Sequence, residues 1–403
     1  MSKAKAKVAR NEQDEYRKYK HHPVKQMNST ELAIMRKLIL TQSVSGKTRE
    51  MNKLVNFILS KIKKDKKLFR ITNDKHGNIL VTKGAAKTFP AVACHLDTVH
   101  PIVTDYKVMV WSNPADSRRQ WLSPTGIGGD DKNGIWTVLT LLMNDDIPSL
   151  KAFFFNDEEI GAIGAKAAAS SWFDDVAFII ESDRRGSTDL IFAAGGESSC
   201  SKDFQEIVEK TTASRNFTVA KGSFTDVMKI QTSINVSVMN ISNGHYNPHH
   251  ADEFIDESDM IGCRDAIVDI LKALGTTPRP YVRPVKVHSA YNYSFDGYSG
   301  QSYKTPYNWS KSKANTTTKY GGRFLTKDFG MLHVKYEIIS SPTGKRYFWT
   351  ISNEATPFSM LPGALEVRIK SRMLEKWNLD DRKSNGFKAP KPLTRNQIEG
   401  YYE

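Results

Sequence analysis

The spacing of apolar positions changes several times along the chain, and each change predicts an element. Leu32, Ile34, Met35, Leu38 and Ile39 follow Asn28-Ser29-Thr30-Glu31, which offers N-cap chemistry, so a helix starts there. Ser43 to Lys47 is polar and reads as a turn. Met51, Leu54, Val55, Ile58, Leu59 and Ile62 recur at helical spacing. Two short runs, 69–72 and 79–82, flank Asp74-Lys75-His76-Gly77-Asn78 and predict a hairpin. Buried strands are expected at 90–96, 152–155, 176–180 and 234–238, with helices at 133–143, around Ile163, Ala165 and Ala167, at 198–211 and at 257–274. Strands alternating with helices predict a three-layer α/β domain over roughly residues 28–276.

The texture differs on both sides of that unit. Residues 1–27 are basic and polar and read as a flexible segment. Residues 288–322 are rich in Tyr, Ser, Asn, Gly and Lys and suit a linker or an extended loop. Strand-like runs at 332–339 and 347–351 around Ser341-Pro342-Thr343-Gly344 predict a β-hairpin, and a helix is expected over 365–379. The reading is therefore an N-terminal segment 1–27, a main domain 28–276 and an extension 277–403.

Charge sharpens this division. The net charge of +14 splits into about +13 over residues 1–70, about −10 over 71–276 and about +11 over 277–403. The basic flanks can meet nucleic acid or another polyanion, although solvated surface is the plainer expectation. Three scattered cysteines make no disulfide framework. The polar start lacks an apolar segment of secretory type, and no apolar run reaches membrane-span length, so a cytoplasmic protein is expected.

The acidic middle carries five clusters, each at or just past the end of an apolar run. They are His95-Leu96-Asp97, Asp130-Asp131-Lys132, Asp157-Glu158-Glu159, Asp183 and Asn247-Pro248-His249. Strand ends are where open α/β sheets place their sites. Histidines and carboxylates converging from several strand ends suit a pair of divalent ions, zinc first, with manganese or cobalt compatible. Asp97 lies two residues past His95 and can accept its second ring N–H. Asp130 follows Gly126-Ile127-Gly128-Gly129 and can bridge two cations, whereas Asp131 and Lys132 read as helix-start and surface charges. Of two adjacent carboxylates after Phe153-Phe154-Phe155, one can bind metal while the other moves a proton. His245, His249 and His250 are rival ligands by spacing alone. Tyr246 is a candidate oxyanion donor, or a packed aromatic.

The ordered set resembles the co-catalytic zinc aminopeptidases and carboxypeptidases, the clan that holds the M20, M28 and M42 peptidase families. His-Leu-Asp-Thr-Val (95–99) looks like its H-x-D-T-V motif. Gly-Gly-Asp-Asp-Lys-Asn-Gly (128–134) is similar to its G-x-D-D-K-x-G form, and Asn-Asp-Glu-Glu-Ile-Gly (156–161) to its D-E-E-x-G. Residues 244–254 resemble the segment that ends in the last metal histidine and a nearby acidic residue. The resemblance covers about residues 28–276. It implies a mixed central sheet. It implies one ion on His95, Asp130 and Asp183, and a second on Asp130, Glu159 and His249. Glu158 is then the general acid/base, and Asp97 orients His95. Only about 65 residues separate Asp183 from His249, so the single-domain M28-like architecture fits better than one with an inserted lid domain. The implied activity is hydrolysis of peptide bonds, as an aminopeptidase or dipeptidase. The alternatives are deacylation of N-acyl amino acids, nucleic-acid hydrolysis by the same metal pair, and a peptidase-like scaffold that binds nucleic acid or protein through its basic extension.

Overall fold

The structure is a computed structural model that describes residues 20–64, 68–113, 117–222, 225–283, 316–326, 330–341 and 344–353. The first elements in chain order are helices α1 (Ser29–Leu40) and α2 (Arg49–Lys64), the hairpin β1 (Phe69–Asn73) and β2 (Ile79–Lys83), and β3 (Phe89–His95). Next come β4 (Lys107–Ser112), β5 (Arg119–Leu122), α3 (Gly129–Met143), β6 (Leu150–Phe155) and the short α4 (Ile163–Ala167). Then follow β7 (Val176–Arg184), β8 (Asp189–Ile191), β9 (Ala193–Ala194), β10 (Glu197–Ser198), α5 (Lys202–Thr212), β11 (Thr218–Val219) and α6 (Asp226–Ile234). The chain continues through β12 (Val238–Ser242), β13 (His245–Tyr246), β14 (Phe254–Asp256), α7 (Glu257–Leu274), β15 (Thr316–Thr326), β16 (Gly330–Ser341) and β17 (Gly344–Asn353).

An eight-stranded mixed sheet runs in the order β1-β2-β6-β3-β7-β12-β8-β11. Its centre, β6-β3-β7-β12, is parallel, while β2 and β8 join it antiparallel. The central strands are apolar on both faces, as strands covered on both sides must be. Val92, Cys94, Phe154, Phe178 and Ile180 pack on one side with Leu38, Trp136, Leu139, Phe204 and Ile267. Ala91, Ala93, Phe153, Phe155 and Ile179 pack on the other with Ala165, Trp172, Val227 and Met228. This is the expected three-layer α/β arrangement. A second sheet, β13-β14-β5-β4-β17-β16-β15, carries the expected hairpin of the extension, with β17 parallel to β4.

Local chemistry sets the helix starts. The Asn28 side chain accepts from the N–H groups of Thr30 and Glu31, and Glu31 returns a bond to the Asn28 N–H at 3.0 Å, closing a capping box. Asp256 caps α7 by accepting from Ser258 and Asp259. Two expectations shift: the helix expected from 198 begins at Lys202, and the strand expected at 234–238 begins at Val238. β4 and β5, and the second sheet they build, were not expected at all.

The N-terminal segment also departs from expectation. From residue 20 it lies against the domain rather than apart from it. His21 Nδ1 is 2.6 Å from Asp259 Oδ2, the His22 N–H donates to Asp259 Oδ1 at 2.7 Å, and Arg118 reaches the His22 carbonyl. Charge patterning sees only a basic run; Asp259, which meets both histidines, is more than 200 residues away. Residues 1–19, most of the 288–322 stretch and the helix expected over 365–379 lie outside the described residues. Among the described residues no helix is long and apolar enough to cross a membrane.

Phe154 is fully buried in β6, between the antiparallel β2 and the parallel β3. Phe154→Ala is expected to cost about 3–5 kcal/mol, read as a lower denaturant midpoint with unchanged slope. A shift under about 1 kcal/mol contradicts this packing.

Candidate metal centre

Parallel strands point their carboxyl ends the same way, and here those ends carry the candidate ligands. His95 is the last residue of β3, Asp183 lies near the end of β7, the 157–159 turn follows β6, and the 243–250 segment follows β12. Asp130 enters from the start of α3.

His95 is buried. Its Nδ1 lies 3.0 Å from the Asp97 carbonyl oxygen and 3.4 Å from Asp97 Oδ1. Its Nε2 lies 3.1 Å from Asp130 Oδ1 and 3.5 Å from Asp183 Oδ1. On the other side of Asp130, His249 Nε2 is 3.3 Å from Asp130 Oδ2 and 3.1 Å from Glu159 Oε2. Two triads result, His95–Asp130–Asp183 and Asp130–Glu159–His249, and Asp130 belongs to both. Within each, the offered donor atoms lie within 4.8 Å of one another. Of the rival histidines, His250 is exposed and outside both triads. His245 is buried, held by Asn243 Oδ1 at 2.6 Å, with Nε2 3.9 Å from Asp130.

Asp97 does more than face His95. Its Oδ1 accepts the Glu158 N–H at 2.9 Å and its Oδ2 the Glu159 N–H at 3.2 Å, so one carboxylate fixes both the imidazole and the Glu158-Glu159 turn. Burial works against the charge on Asp97, but the bonds from His95, Ser45 and the Glu158 N–H outweigh it and hold the carboxyl below its ordinary range.

Asp130 is placed by a residue that spacing did not single out. The fully buried Glu253 accepts the Gly128 and Asp130 N–H groups, each at 2.8 Å, and lies 2.6 Å from His100 Nε2. Gly128 precedes the helix at φ 68°, a left-handed conformation that suits glycine. The Asp130–Asp131 peptide is cis.

Asp131 and Lys132 are not the surface charges expected from the sequence. Asp131 is fully buried and accepts from the His95 N–H at 3.1 Å, the Gly134 N–H at 2.9 Å and Asn243 Nδ2 at 2.8 Å. Lys132 is 2% exposed and donates to the Ile127 carbonyl at 3.0 Å. The start of α3 is pressed against the sheet, so both chains point into protein. Gly134 makes that approach possible: a Cβ there lies 2.2 Å from Asp131 Oδ2 and 2.4 Å from the Ser182 carbonyl.

Tyr246 falls on the packed side of its two readings. It is buried, stacks on Phe254 with ring centroids 4.9 Å apart, and donates its hydroxyl to Asp259 Oδ2 at 2.6 Å. That bond ties the hydroxyl to α7.

Behind the triads Glu181 turns inward. Its Oε2 accepts from Thr225 Oγ and from the Val227 N–H at the start of α6. Asp226 is also fully buried, and its carboxyl oxygens have no hydrogen-bond partner among the described residues.

The electrostatics follow from crowding acids in a dry place. Burial, and then the charge of Asp130, pushes Asp183 well above the carboxylate range. Burial, resisted by His95 and reinforced by Glu159, Glu181 and Asp130, pushes Glu158 up to about 7. Hydrogen bonds to Asp130 and Glu159 carry His249 up to about 10. The field that draws a proton onto the histidines is the field that draws a dication. The donor set fits one: imidazole nitrogens with carboxylate oxygens, compact and shared through one bridging carboxylate. Glu159 Oε1, buried and without a hydrogen-bond partner among the described residues, adds an oxygen whose desolvation a cation would offset.

No protein-family model and no curated protein matches the chain. Among solved structures, the aminopeptidase PepT from Bacillus cereus is similar at 13% identity, covering 60% of this chain and 98% of that one, with a TM-score of 0.49. The TET1 peptidase of Pyrococcus horikoshii, which assembles into a tetrahedron or a large octahedral shell, is 13% identical over 60% of this chain and 98% of its own, with a TM-score of 0.43. The YXEP protein of Bacillus subtilis, a dinuclear metal-binding peptidase from the M20 family, is 10% identical over 62% and 98%, with a TM-score of 0.44. The chemistry of this chain is read from its own side chains.

Bonds to Asp130 and Glu159 raise the pKa of His249 to about 10, so a metal ion taking this nitrogen would displace a proton. Apparent zinc affinity is therefore expected to rise with pH through the neutral range, with protons released on binding. Calorimetric titrations in buffers of different ionisation enthalpy measure both. Binding with no proton release contradicts this site.

Proposed function

We propose that the chain is a two-metal amide hydrolase acting on peptides, as an aminopeptidase or dipeptidase. The observation that carries this reading is the pair of histidine–carboxylate triads sharing Asp130, with Glu158 beside them. In it, His95, Asp130 and Asp183 hold one ion, and Asp130, Glu159 and His249 hold the other. Imidazole among carboxylates suits zinc, and manganese or cobalt accept the same ligands. The ions supply Lewis acidity when bound, lowering the pKa of water and polarising a carbonyl.

The residues divide the remaining work. Glu158, pushed up to about 7, accepts the proton of the attacking water and passes it to the leaving amine. A proton carrier poised near neutrality can do both within one turnover, so no covalent intermediate is needed. Asp97 keeps the His95 ring and the Glu158 backbone fixed while this happens. The catalytic unit in this reading is residues 28–276, against which β17 of the 277–403 extension pairs through β4. The motif resemblance of residues 95–99, 128–134 and 156–161 supports peptide as substrate.

Purified protein assayed on a panel of free-amine dipeptides, before and after chelation, tests the reading. Cleavage that chelation stops and added zinc restores is expected. Glu158→Gln is expected to lower kcat by about 10²–10⁴-fold while metal content stays unchanged, whereas His249→Ala is expected to lose metal. Glu158→Gln with full activity sinks the assigned mechanism. Cleavage of acylated amino acids alone transfers the same centre to deacylation.

A further inference from the structure

The polar turn at residues 43–47, between α1 and α2, is built into the candidate centre. It runs beside the segment after β3: the Thr98 N–H donates to the Ser43 carbonyl at 2.7 Å, the Ser45 N–H to the Thr98 carbonyl at 3.3 Å, and Val44 bridges Thr98 as a parallel pair. Two further bonds reach acidic side chains. Ser45 Oγ donates to Asp97 Oδ2 at 2.7 Å, and the Gly46 N–H donates to Asp157 Oδ1 at 2.7 Å.

These bonds close a ring through three loops. Ser45 holds the Asp97 carboxylate, and Asp97 holds the N–H groups of Glu158 and Glu159. Asp157, one residue before Glu158, holds Gly46, one residue after Ser45. Asp157 sits at φ 57°, an uncommon conformation for a residue other than glycine, and its other carboxyl oxygen accepts from Asn156 Nδ2 at 3.0 Å. The ring thus surrounds the backbone of the residue assigned to move the proton. It also includes the carboxylate against which the His95 ring is set.

We propose that Ser45 is a positioning residue of this centre, acting through Asp97 on both the metal-binding histidine and the Glu158-Glu159 turn. A carboxylate that accepts two N–H groups, an imidazole and a hydroxyl has a single orientation that satisfies them all. Removing the hydroxyl frees Asp97 to rotate about its side chain. Its oxygens then leave the His95 ring or the Glu158 N–H, and the shared geometry of the two triads loosens. Partners of this kind are typically worth about 10–100-fold in metal affinity or activity.

This inference rests on the proposed two-metal hydrolysis for its kinetic arm, but not for its binding arm. Full-length wild type, Ser45→Ala and Ser45→Thr are titrated with zinc by calorimetry and assayed on the dipeptide that the wild type cleaves best. Ser45→Ala is expected to bind zinc about 10–100-fold more weakly and, at saturating zinc, to lower kcat with KM unchanged. Ser45→Thr keeps the hydroxyl and restores both. Zinc affinity and kcat equal to wild type in Ser45→Ala overturn the proposal, as does a fall in melting temperature alone with both quantities unchanged. If the wild type cleaves no amide, the proposed function falls while zinc affinity still decides the role of Ser45.

Discussion

Negative charge collected in a dry place is the constraint on which this structure turns. Asp97, Asp130, Asp131, Glu158, Glu159 and Asp183 meet at one end of the central sheet, and most of their surface is hidden from water. Two unit charges 4 Å apart repel by about 4 kcal/mol at an effective dielectric constant of 20. The chain meets this cost in two different ways. Asp131, Asp97 and Glu253 each accept two or more backbone or amide N–H groups and serve as anchors. Asp130, Asp183 and Glu159 instead turn oxygens towards histidine nitrogens. Acids held by fixed N–H dipoles build the frame, and the carboxylates of the two triads face histidine nitrogens inside it.

Topology makes that division possible. β3 and β7 are parallel neighbours, so His95 and Asp183 arrive side by side from one edge. β6 flanks β3 on the other side and delivers the Glu158-Glu159 turn. The carboxylate common to both triads comes from a helix instead of a strand. The start of α3 supplies it: Glu253 holds the backbone of Gly128 and Asp130 from across the 244–254 loop. Asp130 then offers its two oxygens to different histidines.

Much of this was legible in the residue order, for a physical reason. Ligands at strand ends leave acidic or histidine residues directly after apolar runs, and both are local patterns. His95, Asp130, Glu159, Asp183 and His249 stand in the clusters so marked, and α7 spans the expected Glu257–Leu274. The supporting contacts were not legible because they join residues far apart in the chain. Ser45 meets Asp97 across 52 positions, Glu253 meets Asp130 across 123, and Asn243 meets Asp131 across 112. Asp131 shows the limit most plainly: a carboxylate at a helix start is ordinary surface chemistry until the sheet beneath it is known. β4 and β5 were missed for a related reason, since short strands carry little periodicity of their own and depend on pairing with β14 and β17.

The acids behind the centre complete the electrostatic account. Glu181 and Asp226 are fully buried, yet neither belongs to a triad. Burial, reinforced by Glu181 and Glu158, pushes Asp226 well above the carboxylate range. Burial also pushes Glu181 up to about 7, against the bond from Thr225. A buried carboxyl without a compensating partner avoids the cost of its charge by keeping its proton. The same burial raises Asp183 and Glu158 in the cluster itself, so the shift belongs to the whole acidic group rather than to one part of it. Fixed N–H donors on some of these acids and a raised proton affinity on others let one end of the sheet gather so many carboxyl groups.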